Sequence, residues 1–152
     1  MLTIQYREAT KDDRDVVYEL MTDLIGELSS DANIREFMSK LSNDIDIALE
    51  RDDIVFILAT LEDEVIGLAR ADILYQDPIF RLRSETRCGY IDQMYVRPKH
   101  RRGGIGGGLL SQCERWLREQ GVTHVLLHAA IRAVRFYAAR GYQSNREMFK
   151  KL

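Results

Sequence analysis

A run of glycine and arginine between residues 96 and 110 has the residue types needed to bind a phosphate group. It contains Arg101, Gly104 and Gly106 in the order Arg-x-x-Gly-x-Gly, and five of the ten glycines of the chain lie within residues 103–108. Glycines at a helix start leave backbone N–H groups accessible to phosphate oxygens, and the helix dipole favours negative charge there. The run therefore predicts an anion site, with pyrophosphate as the expected ligand class.

Two common phosphate motifs do not fit this run. A Walker loop ends in Gly-Lys-Ser or Gly-Lys-Thr, and a dinucleotide-binding turn needs a third glycine where Leu109 stands. A flexible linker is the structural alternative, but apolar residues follow the glycines at helical spacing. These residues are Leu109, Leu110, Cys113, Trp116 and Leu117. The spacing therefore favours a loop that leads directly into a helix.

The pattern Arg101-x-x-Gly104-x-Gly106 resembles motif A of the GNAT superfamily, the acyl-CoA-dependent N-acetyltransferases. In that motif the arginine and both glycines wrap the pyrophosphate of coenzyme A. Residues 90–96 are similar to the central strand of the family, and residues 133–142 are similar to its late helix. The resemblance spans nearly the whole chain. It implies the GNAT fold, acetyl-CoA as cosubstrate, and transfer of the acetyl group to a primary amine of a small molecule by direct attack.

The resemblance also implies which residues contact the cosubstrate. Backbone groups of Met94 and Val96, on a strand splayed from its neighbour, are expected to bind the acetyl carbonyl and the pantetheine arm. The predicted acetyl-CoA-binding residues are Met94, Tyr95, Val96, Arg101, Arg102, Gly103, Gly104, Ile105, Gly106 and Gly107.

The sequence departs from the family pattern in two ways near the coenzyme. Ala130 stands where many members place an asparagine that contacts pantetheine, so that contact is expected to be lost or replaced. Gly107 and Gly108 extend glycine into the first helical turn, where each costs about 1 kcal/mol relative to alanine. The second departure predicts a loop that is either looser or more closely approached by its neighbours.

Three residues are candidates for the proton transfers that acetylation of an amine requires. The resemblance implies that Tyr137 donates a proton to the thiolate, and its ordinary pKa of about 10 keeps the phenol protonated at neutral pH. Asp92 matches an acidic residue that is often proposed to accept the ammonium proton through water. His128, with an ordinary pKa of about 6.5, is the rival base. Each residue also has a purely structural interpretation: Tyr137 as a core aromatic, Asp92 as an acid on the polar face of a strand or paired with an arginine, and His128 as a hydrogen-bonded histidine. His100 and His124 are expected to face solvent.

The acceptor is expected to bind against the first two helices and the loop before the central strand, as in the family. Acidic residues in these segments predict attraction of a cationic amine. They are Asp23, Glu27, Asp31, Glu36, Asp44, Asp46 and Asp77. Arg81, Arg83 and Arg87 favour instead a carboxylate or phosphonate on the substrate, as in the aminoalkylphosphonate acetyltransferases. Acetylation of a protein N-terminus or lysine, and coenzyme binding without turnover, are the alternatives to a small-amine acceptor.

Composition narrows the class of protein. The 152 residues, 45% of them hydrophobic, predict a single domain over residues 1–152. A net charge of -2 argues against nucleic acid or an anionic membrane as partner. Cys88 and Cys113 are expected to be buried thiols, and no metal site is expected. Since no apolar run reaches the length of a membrane span, we expect a cytoplasmic protein, with a homodimer left open.

The hydrophobic patterning predicts strands alternating with helices after an early hairpin. The predicted strands are Thr3–Glu8, Ile54–Leu61, Val65–Ile73, Cys88–Val96, Val122–His128 and Tyr142–Leu152. The predicted helices begin near Thr10, at Ile34, near Gly104 and at Ile131. The second of them is predicted over Ile34–Leu49, with a candidate break near Ser42-Asn43. Gly121 and Gly141 are expected to end the last two helices. This order predicts an α/β (α+β) sandwich with a mixed central sheet.

Overall fold

The computed structural model describes residues 3–28, 34–75, 86–144, 148 and 150–152. The strands are β1 (Ile4–Glu8), β2 (Ile54–Leu61), β3 (Glu64–Tyr75), β4 (Arg87–Val96) and β5 (Val125–Leu126). The helices are α1 (Arg14–Leu28), α2 (Ile34–Glu50), α3 (Ile105–Glu119) and α4 (Val134–Ala138). Short 3-10 turns lie at Lys11–Asp13, Pro98–His100 and Ile131–Ala133.

The five strands form one mixed sheet in the order β1-β2-β3-β4-β5. Neighbouring strands are antiparallel from β1 to β4, while β4 and β5 are parallel. The predicted hairpin is confirmed, since Leu61 pairs with Glu64 across a turn in which Glu62 has a φ of 54°. Helices and a mixed sheet together confirm the predicted α/β (α+β) class.

Each face of the sheet is covered by helices, because side chains alternate between the two faces of a strand. On β2, Val55 and Ile57 pack with α3, whereas Phe56 and Leu58 pack with α1 and α2. The apolar stripe predicted for α3 is buried, with Leu109 and Cys113 fully enclosed. The glycine turn that precedes α3 is therefore anchored at the end of a buried helix. Among the described helices, none combines the length and the apolarity needed to cross a membrane.

Helix α2 has no break, so the candidate break at Ser42-Asn43 is wrong. The buried side chains of Leu41 and Ile45 stand one helical turn apart and keep the apolar face continuous through this point. The Ser42 hydroxyl accepts a hydrogen bond from Arg14 of α1. Packing of Leu41 and Ile45 and the polar contact of Ser42 with α1 thus keep the helix continuous through these two weak helix formers.

The C-terminal elements are shorter than predicted. The strand predicted over Val122–His128 is limited to β5, and the helix predicted over Ile131–Arg140 is a 3-10 turn followed by α4. Gly121 and Gly141 have φ values of 77° and 88°, which confirms their role as helix ends. Residues 142–144, 148 and 150–152 are not in a strand, contrary to the prediction, and the other positions of that segment lie outside the described residues.

Candidate active site

The predicted anion loop forms the start of α3. Gly104 has a φ of 81° and a ψ of 0°, a left-handed conformation that glycine adopts without strain. The first α-helical hydrogen bond runs from the N–H of Gly108 to the carbonyl of Gly104, at 3.1 Å. The N–H groups of Ile105, Gly106 and Gly107 precede this bond, so they are the ones left by the helix for an anion. All three residues line a cleft of about 600 Å³.

Nine of the ten residues predicted to bind the cosubstrate line this first cleft; Gly103 does not. Tyr95 contributes to the cleft although its ring is 5% exposed and packs among residues of α1 and α2. Sequence reasoning missed the rest of the lining as cosubstrate contacts; these residues come from α1, from the 3-10 turn after β4 and from the C-terminal elements. They are Leu24, Glu27, His100, Arg132, Ala133, Phe136 and Arg140.

Glu27 of α1 reaches the anion loop. Its Oε1 lies 2.6 Å from Nη2 of Arg101, and its Oε2 lies 4.0 Å from Nη2 of Arg132. Nε of Arg101 also donates to the Val96 carbonyl at 2.7 Å. Partly exposed ion pairs contribute little to stability, so a phosphate can compete with Glu27 for the Arg101 guanidinium.

The glycines of the first helical turn are closely approached, which confirms one of the two predicted outcomes. A Cβ on Gly108 would overlap the hydroxyl of Tyr6, and a Cβ on Gly107 would lie 2.8 Å from Nη2 of Arg140. The Arg140 guanidinium stacks on Phe136 at 3.8 Å and donates to the Phe136 carbonyl at 2.9 Å. Glycine at position 107 therefore leaves room for a cationic side chain beside the anion loop.

A bulge in β4 shapes the wall of the site. Arg70 pairs with Asp92 and Leu68 pairs with Tyr95, so β4 has one more residue than β3 in this interval. Gln93, within the bulge, has a φ of 52°. Bulges redirect side chains and are frequent near active sites. On the other side, β4 pairs with β5 only at Gly89 and Tyr90 among the described residues.

A second cleft, of about 420 Å³, meets the first one. The two clefts share five lining residues from α1, β4 and the C-terminal elements. The shared residues are Leu24, Met94, Arg132, Ala133 and Tyr137. All three predicted catalytic residues, Tyr137, Asp92 and His128, line the second cleft, so the fold brings them together. Ala130, at the position of the family's asparagine, lines it as well.

Tyr137 is half-buried at the junction of the two clefts. Its ring contacts Phe136 and Tyr142 edge-on, with centroid distances of 5.0 and 5.6 Å. Burial raises the pKa of Tyr137, and Coulombic interactions with Cys113 and Asp92 raise it further. The phenol therefore stays protonated at neutral pH, as a proton donor must.

Asp92 lies on the wall of the second cleft, where solvent reaches its carboxylate but the surrounding protein removes part of its hydration. This desolvation raises the pKa of Asp92 above its ordinary value. A hydrogen bond of 2.8 Å from the Gln93 N–H and Coulombic interactions with Arg70 and His128 limit the increase in this pKa. The direction of the shift makes the carboxylate a better proton acceptor.

The three histidines lie in different surroundings. Nδ1 of His128 is 2.6 Å from the hydroxyl of Tyr90, which orients the imidazole at the second cleft. His100 and His124 are both partly exposed, and the prediction that they face solvent is wrong for the buried Nε2 of His100. His100 lines the first cleft, and within the described part of the chain its Nε2 is buried without a hydrogen-bond partner. His124 is held by Thr123 at 3.2 Å.

The predicted acidic acceptor wall is not present among the described residues, because its acids are paired with cations. The pairs are Asp23 with Arg97, Glu27 with Arg101, Glu36 with Lys40, Asp44 with Arg70, and Asp46 with Arg14. Of these acids only Glu27 lines either cleft. Arg87 donates to the Gln120 carbonyl at 2.9 Å and lines neither cleft. Asp31, Asp77, Arg81 and Arg83 lie outside the described residues.

The cysteines have the predicted environment. Cys88 and Cys113 are both buried, and burial raises the pKa of Cys113 to about 12. Among the residues that the structure describes, no group of three or more His, Cys, Asp or Glu side chains is arranged to hold a metal ion.

Comparisons with known proteins agree with this architecture. The model of the acetyltransferase (GNAT) family matches residues 16–142. No curated protein matches the sequence. The crystal structure of a predicted acetyltransferase from Clostridium acetobutylicum, with acetyl-CoA, has a TM-score of 0.85 and 22% identity over 99% of this chain and 96% of its own. A GCN5-related N-acetyltransferase from Ralstonia eutropha has a TM-score of 0.84 and 23% identity over 99% of both chains.

A third solved structure is an aminoglycoside N-acetyltransferase in complex with the bisubstrate analogue CoA-S-monomethyl-acetylneamine. Its TM-score is 0.78, with 18% identity over 99% of this chain and 98% of its own. At identities this low, the three likenesses establish a shared fold.

Proposed function

The chain belongs to the GNAT acetyltransferase family, and we propose that its two clefts bind acetyl-CoA and a small-molecule primary amine. Family membership confirms the predicted enzyme class, an acyl-CoA-dependent N-acetyltransferase with acetyl-CoA as cosubstrate. The acceptor class is our proposal. The observation that carries it is the junction of the two clefts at Met94 and Tyr137, where a donor and an acceptor can meet.

The residues of the first cleft fit the pyrophosphate of the cosubstrate. A Cβ on Gly104 would meet no atom within 4 Å, so this side of the loop is open to a ligand. The N–H groups of Ile105, Gly106 and Gly107 and the guanidinium of Arg101 supply hydrogen-bond donors and positive charge. We assign these groups to the pyrophosphate and the backbone of Met94 and Val96 to the acetyl carbonyl and pantetheine arm.

When bound, acetyl-CoA supplies the acetyl group as a thioester. An amine in the second cleft arrives mostly protonated, and Asp92 is our first choice to accept its proton, directly or through one water. The neutral nitrogen then attacks, and the phenol of Tyr137 holds the proton that the departing sulfur needs. His128 is the second choice for the base, since its imidazole lies on the same wall.

The small-molecule acceptor is supported by the size of the second cleft, about 420 Å³, which is within the range of small-molecule sites. It is also supported by the aminoglycoside N-acetyltransferase with the same fold, whose bisubstrate analogue contains an acetylated amine. A protein N-terminus or lysine as acceptor, and coenzyme binding without turnover, become outcomes of the test below.

Thiol release from acetyl-CoA, measured against a panel of amines, tests the proposal. The panel contains alkylamines, aminoglycosides, polyamines, amino acids, aminoalkylphosphonates and short peptides, and the acetylated product is confirmed by mass spectrometry. We expect turnover of at least one small amine, and a large loss of that turnover in Tyr137→Phe. Turnover of peptides alone would favour a protein acceptor. Binding of acetyl-CoA in calorimetry without turnover of any panel member would contradict the proposal.

Asp92→Asn and His128→Gln distinguish the two candidate bases. General-base catalysis typically contributes about 10²–10⁴-fold, so we expect a loss of this size in kcat/KM for Asp92→Asn. Because the carboxylate must be ionised to accept a proton, the activity of the unmodified enzyme falls as the pH decreases through the raised pKa of Asp92. This decrease in activity at acidic pH should be absent from Asp92→Asn. If instead Asp92→Asn keeps the decrease and His128→Gln loses it together with most of its kcat/KM, then His128 is the base.

A further inference from the structure

Most of the side chains that line the second cleft are apolar. Its larger apolar side chains are Met21, Leu24, Ile25 and Leu28 of α1, Phe37 of α2, and Ile91 and Met94 of β4, and Ala130 and Ala133 complete the apolar part of the wall. The four residues of α1 have the i, i+3, i+4, i+7 spacing of one helix face. One continuous apolar stripe therefore runs along the cleft.

The outer end of this stripe remains exposed to solvent. Met21 is 1% exposed, whereas Leu28 and Phe37 are 61% and 49% exposed. Exposed large apolar side chains that line a cleft are typical of ligand-binding surfaces. A ligand with an apolar body would cover Leu28 and Phe37, and each methylene removed from water there would contribute to binding.

The charged groups of the cleft suit a single cation. Among the described lining residues, Asp92 is the only carboxylate, and Arg132 adds positive charge. The Arg132 side chain is 72% exposed and lies beside Glu27 of the first cleft. The acids that could attract further cationic groups are paired elsewhere, as described above. A polycation would therefore leave its additional charges against apolar residues without partners.

We infer that the acceptor is a monoamine whose amino group is joined to an alkyl or aryl body. The amino group lies at Asp92 near the junction with the first cleft, and the apolar body extends along α1 towards Leu28 and Phe37. This inference rests on the proposed function, because it names the substrate class of the same acceptor site. It replaces the acidic wall predicted from the sequence with an apolar one.

A homologous series of amines tests the inference. kcat/KM is measured from propylamine to hexylamine at saturating acetyl-CoA, with 1,6-diaminohexane as a dication of the same length as hexylamine. Burial of one methylene contributes about 0.8 kcal/mol, which corresponds to about a fourfold increase in kcat/KM per carbon. We expect such an increase along the series, and at least about a tenfold preference for hexylamine over the diamine.

Two variants locate the effect in the cleft. Leu28→Asp places a charge on the exposed end of the stripe and should flatten the dependence on chain length. Ile47→Asp is the matched control, because Ile47 is a similarly exposed apolar residue, at 50%, that does not line the cleft. We expect Ile47→Asp to keep the dependence of the unmodified enzyme.

The outcomes separate this inference from the proposed function. A kcat/KM that is constant or falls with chain length, or a preference for the diamine, would overturn the inference while leaving small-amine acetylation in place. Equal flattening in Leu28→Asp and Ile47→Asp would also overturn it. If no amine of the series or of the wider panel is turned over although acetyl-CoA binds, the proposed function fails as well.

Discussion

Replacement of Gly104 by alanine tests whether the left-handed turn before α3 serves the ligand as well as the fold. The φ of Gly104 is 81°, and a Cβ there would meet no atom within 4 Å, so the substitution strains the backbone without a steric clash. A left-handed conformation costs a non-glycine residue about 1–2 kcal/mol. Gly141 provides a matched control, because its φ is 88° and its Cβ position is equally open.

Both variants should lose similar stability, but only one should lose affinity for acetyl-CoA. For a protein of this size, 1 kcal/mol lowers Tm by about 2–4 °C. Gly104 lines the first cleft and Gly141 does not. Movement of the loop by Gly104→Ala would remove at least one charge-assisted hydrogen bond, worth about 1.5–3 kcal/mol. Since 1.4 kcal/mol corresponds to a factor of about ten, Kd for acetyl-CoA should rise about 10- to 100-fold.

Thermal unfolding without ligand and calorimetric titration with acetyl-CoA measure the two quantities separately. Gly141→Ala should have a Tm below that of the unmodified protein and an unchanged Kd for acetyl-CoA. Gly104→Ala should have both a decreased Tm and an increased Kd. If Gly104→Ala lowers Tm but binds acetyl-CoA as tightly as the unmodified protein, the glycine serves only the fold. Equal loss of affinity in both variants would show that lower stability, and not the position of the loop, weakens acetyl-CoA binding.

Three further predictions concern other parts of the molecule. Tyr137→Phe should lower kcat by about 10²-fold or more with little change in the KM for acetyl-CoA, because it removes proton donation to the sulfur and not the binding of acetyl-CoA. Steady-state kinetics measures both quantities. Gly108→Ala should lower Tm, since its Cβ would overlap Tyr6 and overpacking costs about 1–3 kcal/mol; adding Tyr6→Ala should remove this specific clash in a double-mutant cycle. Asp13→Asn should lower the free energy of unfolding by about 1–2 kcal/mol at pH 7, because Arg7 lowers the pKa of Asp13 to about 2. Because the pKa of Asp13 is lower in the folded protein than in the unfolded chain, its ionised carboxylate stabilises the fold above a pH of about 4, and this contribution is lost as the pH falls to about 2. Urea titrations should therefore show that the difference in free energy of unfolding between Asp13→Asn and the unmodified protein disappears below a pH of about 2.

The anion loop could be predicted from the sequence because its determinants are local. Arg101, Gly104 and Gly106 lie within six residues, and the start of a helix places its own N–H groups at one end. The buried face of α3 follows from the helical period in the same way. The structure adds groups that are distant in sequence, such as Glu27 and Arg140, whose proximity to the loop depends on the packing of α1 and α4.

The acidic acceptor wall was wrong because the order of charges along the chain does not show which charges are already paired. Asp44 pairs with Arg70, which is 26 residues away and 9% exposed, and this contact removes Asp44 from the acceptor wall. The apolar lining includes Leu28 and Phe37, which continue the core faces of their helices. Only the packed structure shows that these two side chains extend beyond the core into the cleft.

Direct attack of the amine on acetyl-CoA at the junction of the two clefts can be tested by the initial-rate pattern. Rates are measured over a range of acetyl-CoA concentrations at several fixed concentrations of the best amine. Since both substrates must be bound together for direct attack, the double-reciprocal lines should intersect. Parallel lines would indicate a covalent acyl-enzyme formed before the amine binds, and they would contradict the roles assigned to Asp92 and Tyr137.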